Sequence, residues 1–140
     1  MRPRRESGER GSAAVELALC APALLLLVAV IVGAGRVVST KSAVLAVARE
    51  AARVAAEASN SQEAGRVAAD RAHEVASGLG LDPARLQLTQ FPGNFGRGQS
   101  YAVAVSYRVE LSDLPALGFL PGSFTVSARH AECVERYKSR

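Results

Sequence analysis

From Leu17 to Gly35 the chain carries no charged residue, and nothing else restricts its fold so severely. Those 19 residues form a helix of about 28 Å at about 1.5 Å per residue. That length roughly matches the hydrocarbon thickness of a bilayer. A core helix of a soluble domain keeps a polar face, whereas ALLLLVAVIV at 23–32 is apolar around its whole circumference. The run therefore reads as a membrane span. A secretory signal peptide is the competing reading, with Arg2, Arg4, Arg5 and Arg10 as its basic region. Against it, the apolar run exceeds the usual length, and GAGRVVSTKSA offers no clear small-x-small cleavage site before helical patterning resumes.

The net charge is +4, and half of the excess lies ahead of the span, where four arginines face Glu6 and Glu9. Later basic residues alternate with acids and no aromatic-interleaved basic patch occurs, so nucleic acid is not an expected partner. Arg36, Lys41, Arg49 and Arg53 follow the span, so the positive-inside count leaves its orientation open. Cys20 lies in the span and Cys133 near the C-terminus, too far apart to suggest a bridge. Cys20 reads as a small lipid- or helix-facing hydrophobe, and Cys133 as a spare thiol or an intermolecular partner.

Helical character begins near Ser12 and continues past the membrane. Pro22 removes one hydrogen bond, to the Ala18 carbonyl, and is expected to bend the helix. KSAVLAVAREAARVAAE at 41–57 carries a narrow stripe of Val44, Val47, Ala51 and Val54. Its partner is either the rest of its own domain or sister subunits. Asn60 with Glu63 predicts the N-cap of a second helix that buries Val67, Ala68, Ala72 and Val75 and ends at Gly78 and Gly80. After Asp82-Pro83 the period changes to two. LQLTQF at 86–91, YAVAVSYRVEL at 101–111 and SFTVSARHAE at 123–132 predict three strands, with Tyr101, Val103, Val105, Tyr107 and Val109 on one face. The expected fold is α+β: a long N-terminal transmembrane helix continuing into a helical stem, a second helix, and a small three-stranded antiparallel sheet packed on that second helix. The expected units are a basic leader at 1–11, the transmembrane helix at 12–36, the stem at 37–78 and a β-rich ectodomain at 79–140.

No catalytic constellation is legible, and the chain is not expected to be an enzyme. His73 and His130 lack catalytic spacing, and Asp70, His73 and Glu74 read as a solvated helix face rather than metal ligands. GNFGRG lacks the strand-then-helix context of a phosphate loop. No metal, cofactor or small-molecule substrate is expected.

What remains is Glu16, a carboxylate at the border of the apolar run. An ionisable group there is a functional candidate, because burying charge in lipid is costly. The simpler account is a glutamate favoured by the helix dipole and snorkelling to the headgroups. That account explains neither Gly11 before SAAVE nor the basic leader.

The basic leader, Gly11, SAAVE and a uniform apolar helix together resemble a type IV prepilin. ERGSAAVELAL, APALLLL around Pro22 and AREAARVAA resemble more closely the TadE-like family, pseudopilins of tight-adherence (Flp) pilus machines; the resemblance covers roughly residues 9 to 58. Members with a C-terminal half of this kind often carry two cysteines there, but Asp82 and Ser106 stand in those neighbourhoods, so no stapled ectodomain is implied. The resemblance implies a minor pilin or pseudopilin cut between Gly11 and Ser12 by a membrane prepilin peptidase. Glu16 would then be fifth in the mature chain, placed to pair with the new Ser12 amine of a neighbouring subunit. Implied partners are the lipid bilayer, the peptidase, other pilins or pseudopilins and the Tad assembly platform. The implied location is the cytoplasmic membrane, single-pass, with the N-terminus in the cytoplasm and residues 37–140 beyond the membrane. The alternative is an uncleaved single-pass anchor displaying a small interaction module.

Overall fold

The computed structural model describes residues 7–96, 98–114, 118 and 121–134, with residues 7–12 described in backbone only. Expectations for residues 1–6 of the leader, and for much of the connection after Leu114, lie outside the described residues. The order is α1 (Ser7–Ala56), α2 (Ser61–Gly78), β1 (Leu86–Phe91), β2 (Ser100–Glu110) and β3 (Ser123–Cys133), with short 3-10 turns at Pro83–Arg85 and Leu111–Asp113.

Alanine and leucine, the best helix formers, make up much of α1, and it continues as one helix through Pro22. It begins at Ser7, five residues ahead of the expected start near Ser12. Just beyond the apolar run, the Thr40 hydroxyl donates to the Arg36 carbonyl at 3.0 Å and the Ser42 hydroxyl to the Val38 carbonyl at 3.1 Å. Two polar groups are thereby satisfied within the helix itself.

α2 starts as its cap residues predict. The Asn60 side chain accepts from the Glu63 N–H at 2.8 Å, and the Glu63 carboxylate accepts from the Ser59 N–H at 3.0 Å. It ends in a Schellman motif: Gly80, at φ +74°, donates to the Ser77 carbonyl, and Leu81 donates to that of Ala76. Ala64, Ala68, Ala72 and Ala76 form its buried stripe, while Val67 and Val75 are only half-buried. The expected burial of the two valines is therefore corrected: close helix approach takes the smallest side chains into the seam and leaves branched ones at its margins. Val54 of α1 is half-buried for the same reason.

The sheet has the order β1-β2-β3, antiparallel throughout, with Leu88 opposite Val105 and Val105 opposite Ala128. The inward face of β2 is the predicted one, Tyr101 through Val109, and all five side chains are buried. The sheet does not rest chiefly on α2. It packs on α1 through β2 and β3, and α2 reaches it mainly at β1. The buried side of α1 (Val44, Val47, Ala48, Ala51, Ala52, Ala55) is wide enough for both neighbours, whereas the single alanine row of α2 accommodates one. The stem stripe thus packs within its own domain.

Candidate functional site: the exposed half of the N-terminal helix

Two halves of α1 have opposite surroundings. From Val44 onward its apolar face is covered by α2 and the sheet. Before that its large side chains are bare: Leu19 is 75% exposed and Leu25 is 71% exposed. Among the described residues this is the one helix long and apolar enough to cross a membrane, and almost none of its most apolar stretch is buried. The near-absence of burial separates it from a soluble core helix.

Glu16 is exposed on this bare surface, and no hydrogen bond or ion pair to it occurs among the described residues. Ser12 and Glu16 lie four apart in the same helix, hence on one face about 6 Å apart along the axis. Gly11 is helical too, within the first described turns of α1. A peptidase needs extended backbone, so cleavage after Gly11 requires the helix to open there. Glycine favours that opening, since it weakens a helix by about 1 kcal/mol relative to alanine. Pro22 is exposed and has no N–H to offer the Ala18 carbonyl.

Glu50 ties the two helices together. Glu50 pairs with Arg53 at 2.8 Å and, across the helix hairpin, with Arg71 at 2.9 Å. The hydrogen bonds of Arg53, then of Arg71, hold the Glu50 carboxyl down at about 2. His73 is exposed, Asp70 pairs with Arg66 and Glu74 with Arg71; His130 lies 3.0 Å from Glu132. No group of three potential metal-binding side chains occurs among the described residues. An open groove between α1 and α2, floored by Val54 and Val67, is rimmed by Glu57, Glu63, Asp70 and Glu74.

Two polar clusters escaped the sequence reading. Tyr101 donates from its buried hydroxyl to Gln90 Oε1 at 2.8 Å, and Gln90 Nε2 donates to the Gly65 carbonyl at 2.9 Å. Burial pushes the Tyr101 phenol up. A Cβ on Gly65 would stand 2.9 Å from Gln90 Oε1, so the glycine makes room for this link between α2, β1 and β2. Its one sequence signal was Gln90 itself, a polar residue on the inward register of β1. The second cluster is the Asp113 corner. Its carboxylate accepts from Arg85 at 2.6 Å and its carbonyl from Arg36 Nη1 at 3.3 Å. No local pattern could announce contacts that span 28 and 77 positions.

Comparison with known families places a match to the family described as TadE-like protein over residues 11–53. That interval takes in Ser12, Glu16 and Pro22, the bare half of α1 and most of its buried stem. Neither the curated proteins nor the solved structures give a match.

Proposed function

With a TadE-like N-terminal segment as the premise, we propose that the chain is a minor pilin or pseudopilin that serves assembly of a tight-adherence (Flp) pilus. It is anchored by α1 in the cytoplasmic membrane, leader inward, with the α2–sheet domain beyond the membrane. Removal of residues 1–11 by a prepilin peptidase gives Ser12 a free amine. The Glu16 carboxylate of one subunit pairs with that amine on its neighbour, which offsets the desolvation of both and sets the axial register of the helices. The chain contributes no catalysis and holds no cofactor; it presents surfaces. The observation carrying this reading is the exposed Glu16 carboxylate, which among the described residues has no hydrogen-bond or ion-pair partner, at the edge of the uncovered charge-free run 17–35 and four residues from the Gly11–Ser12 bond.

The helical state of Gly11 favours one other reading, the uncleaved anchor. The intact mass of membrane-extracted protein decides between them. Loss of residues 1–11 supports the pseudopilin, and an intact chain overturns it. In the cleaved protein, Glu16→Ala should leave membrane levels and cleavage unchanged but impair cross-linking between co-expressed pseudopilins. Breaking a buried pair from one side costs about 3–5 kcal/mol. Undiminished cross-linking would remove Glu16 from the assembly mechanism.

A further inference from the structure

The folded domain has one end beside the point where α1 leaves its apolar run. Gly80 and Leu81, from the α2–β1 connection, share a cleft with Arg36, Thr40, Asp113 and Leu114. Leu79 and Gly80 share a second cleft with Arg36, Ser39, Thr40 and Ala43. Helix geometry converts these neighbours into heights. If the hydrocarbon ends at Gly35, Arg36 stands about 2 Å above it and Thr40 about 7 Å, at about 1.5 Å per residue. The headgroup region of one leaflet is about 5–7 Å thick. A tilt of about 20° changes those heights by under a tenth.

We propose that this end of the domain, formed by Leu79–Leu81 and the Ser112–Leu114 corner around Arg36, rests in the lipid headgroup layer that α1 passes through. The inference depends on Leu17–Gly35 spanning the bilayer. The domain cannot ride higher, because α1 is one helix from the apolar run into the core, and the sheet and α2 are packed on it from Val44 onward. The side chains at this end suit a lipid surface. Leu79 is 49% exposed although it is a large apolar residue in a helix-end connection. Arg36 uses one N–H on the Asp113 carbonyl, and no other bond from its guanidinium occurs among the described residues. The remaining N–H groups can meet lipid phosphate, which a guanidinium binds through paired hydrogen bonds. Lys41, exposed five residues further on, adds a second cation at a height from which its chain reaches back to phosphate. The partner is thus a phospholipid headgroup surface, and the consequence is a domain held at a fixed attitude to the membrane.

The test uses the full chain in nanodiscs of phosphatidylethanolamine and phosphatidylglycerol. In a background lacking Cys20 and Cys133, one nitroxide is attached at Leu26→Cys, Leu79→Cys, Ser112→Cys or Ser61→Cys. Collision with oxygen and with a water-soluble nickel chelate reports depth. Leu26 should lie in hydrocarbon, and Ser61, at the far end of the helix hairpin, in water. Leu79 and Ser112 should lose chelate collisions relative to Ser61, as a headgroup position requires. Chelate access at both equal to that at Ser61, with Leu26 in hydrocarbon, overturns the docking while leaving the span intact. Leu26 in water overturns both. Protection that persists in vesicles of the same two lipids, where no scaffold belt is present, reports lipid; protection seen only in nanodiscs reports the belt and overturns the docking.

Discussion

The two halves of α1 invert the usual rule for buried residues. In the N-terminal half, leucines such as Leu24, Leu25 and Leu26 are uncovered, while in the C-terminal half Ala48, Ala51, Ala52 and Ala55 are fully buried. In water a large bare side chain is a cost of about 1.5–3 kcal/mol, and an alanine core recovers little hydrophobic energy per residue. The inversion makes sense when the two halves have different surroundings. Lipid solvates the leucines, so they need no protein partner. The alanines are selected for clearance, letting a helix and a sheet approach the same stretch of backbone. One helix therefore meets two standards of fit, loose where lipid supplies the contact and tight where protein does.

That contrast can be broken from either end. The largest effect is expected from a charge in the lipid-facing half. Leu26→Lys should cost about 3 kcal/mol of insertion and lower the carbonate-resistant membrane fraction, while urea unfolding of the α2–sheet domain stays unchanged. A domain destabilised by Leu26→Lys would mean that the bare half packs on protein after all. Next comes overpacking of the tight half. Ala51→Leu, at a position with no exposure, should destabilise the domain by about 1–3 kcal/mol. Val54→Leu, half-buried on the floor of the open groove, should stay within about 0.5 kcal/mol. Urea denaturation of the reconstituted full chain measures both, and equal effects would deny that the seam is tight.

The smallest effect concerns the ion pairs that tie α1 to α2. The Glu50 carboxyl is lowered from 4.5 to about 2, chiefly by its hydrogen bonds to Arg53 and then Arg71. A lowered carboxyl stabilises the fold above its unfolded value and ceases to as pH falls through its folded value. The contribution is thus complete above about pH 4.5 and lost on going down to about 2. Because the pairs are partly exposed, it amounts to about 1 kcal/mol or less. Glu50→Gln should flatten the fall in stability across that window, and an unchanged acid slope would place the acid sensitivity elsewhere.

Local patterns carried much of this molecule. The charge-free run at 17–35, the Asn60–Glu63 cap, the stop at Gly80 and the period-two face of β2 each depend on neighbours within a few positions, and each was legible. Gly11, Ser12 and Glu16 also stand together in one short stretch, within reach of a local reading. Helix start was less legible, because nothing in SGERGS forbids a helix and α1 runs back to Ser7.

The sequence by itself determined the elements, their order and the stretch of chain that seeks lipid, since hydrophobic period and capping chemistry are local. Only the tertiary structure decided that the sheet rests on α1 rather than α2, because that choice depends on which helix has a face wide enough for two neighbours. Only there, too, do Gln90 reach Gly65 and Arg36 reach Asp113. Contacts between residues 25 and 77 positions apart depend on how elements close in space, which no window along the chain records.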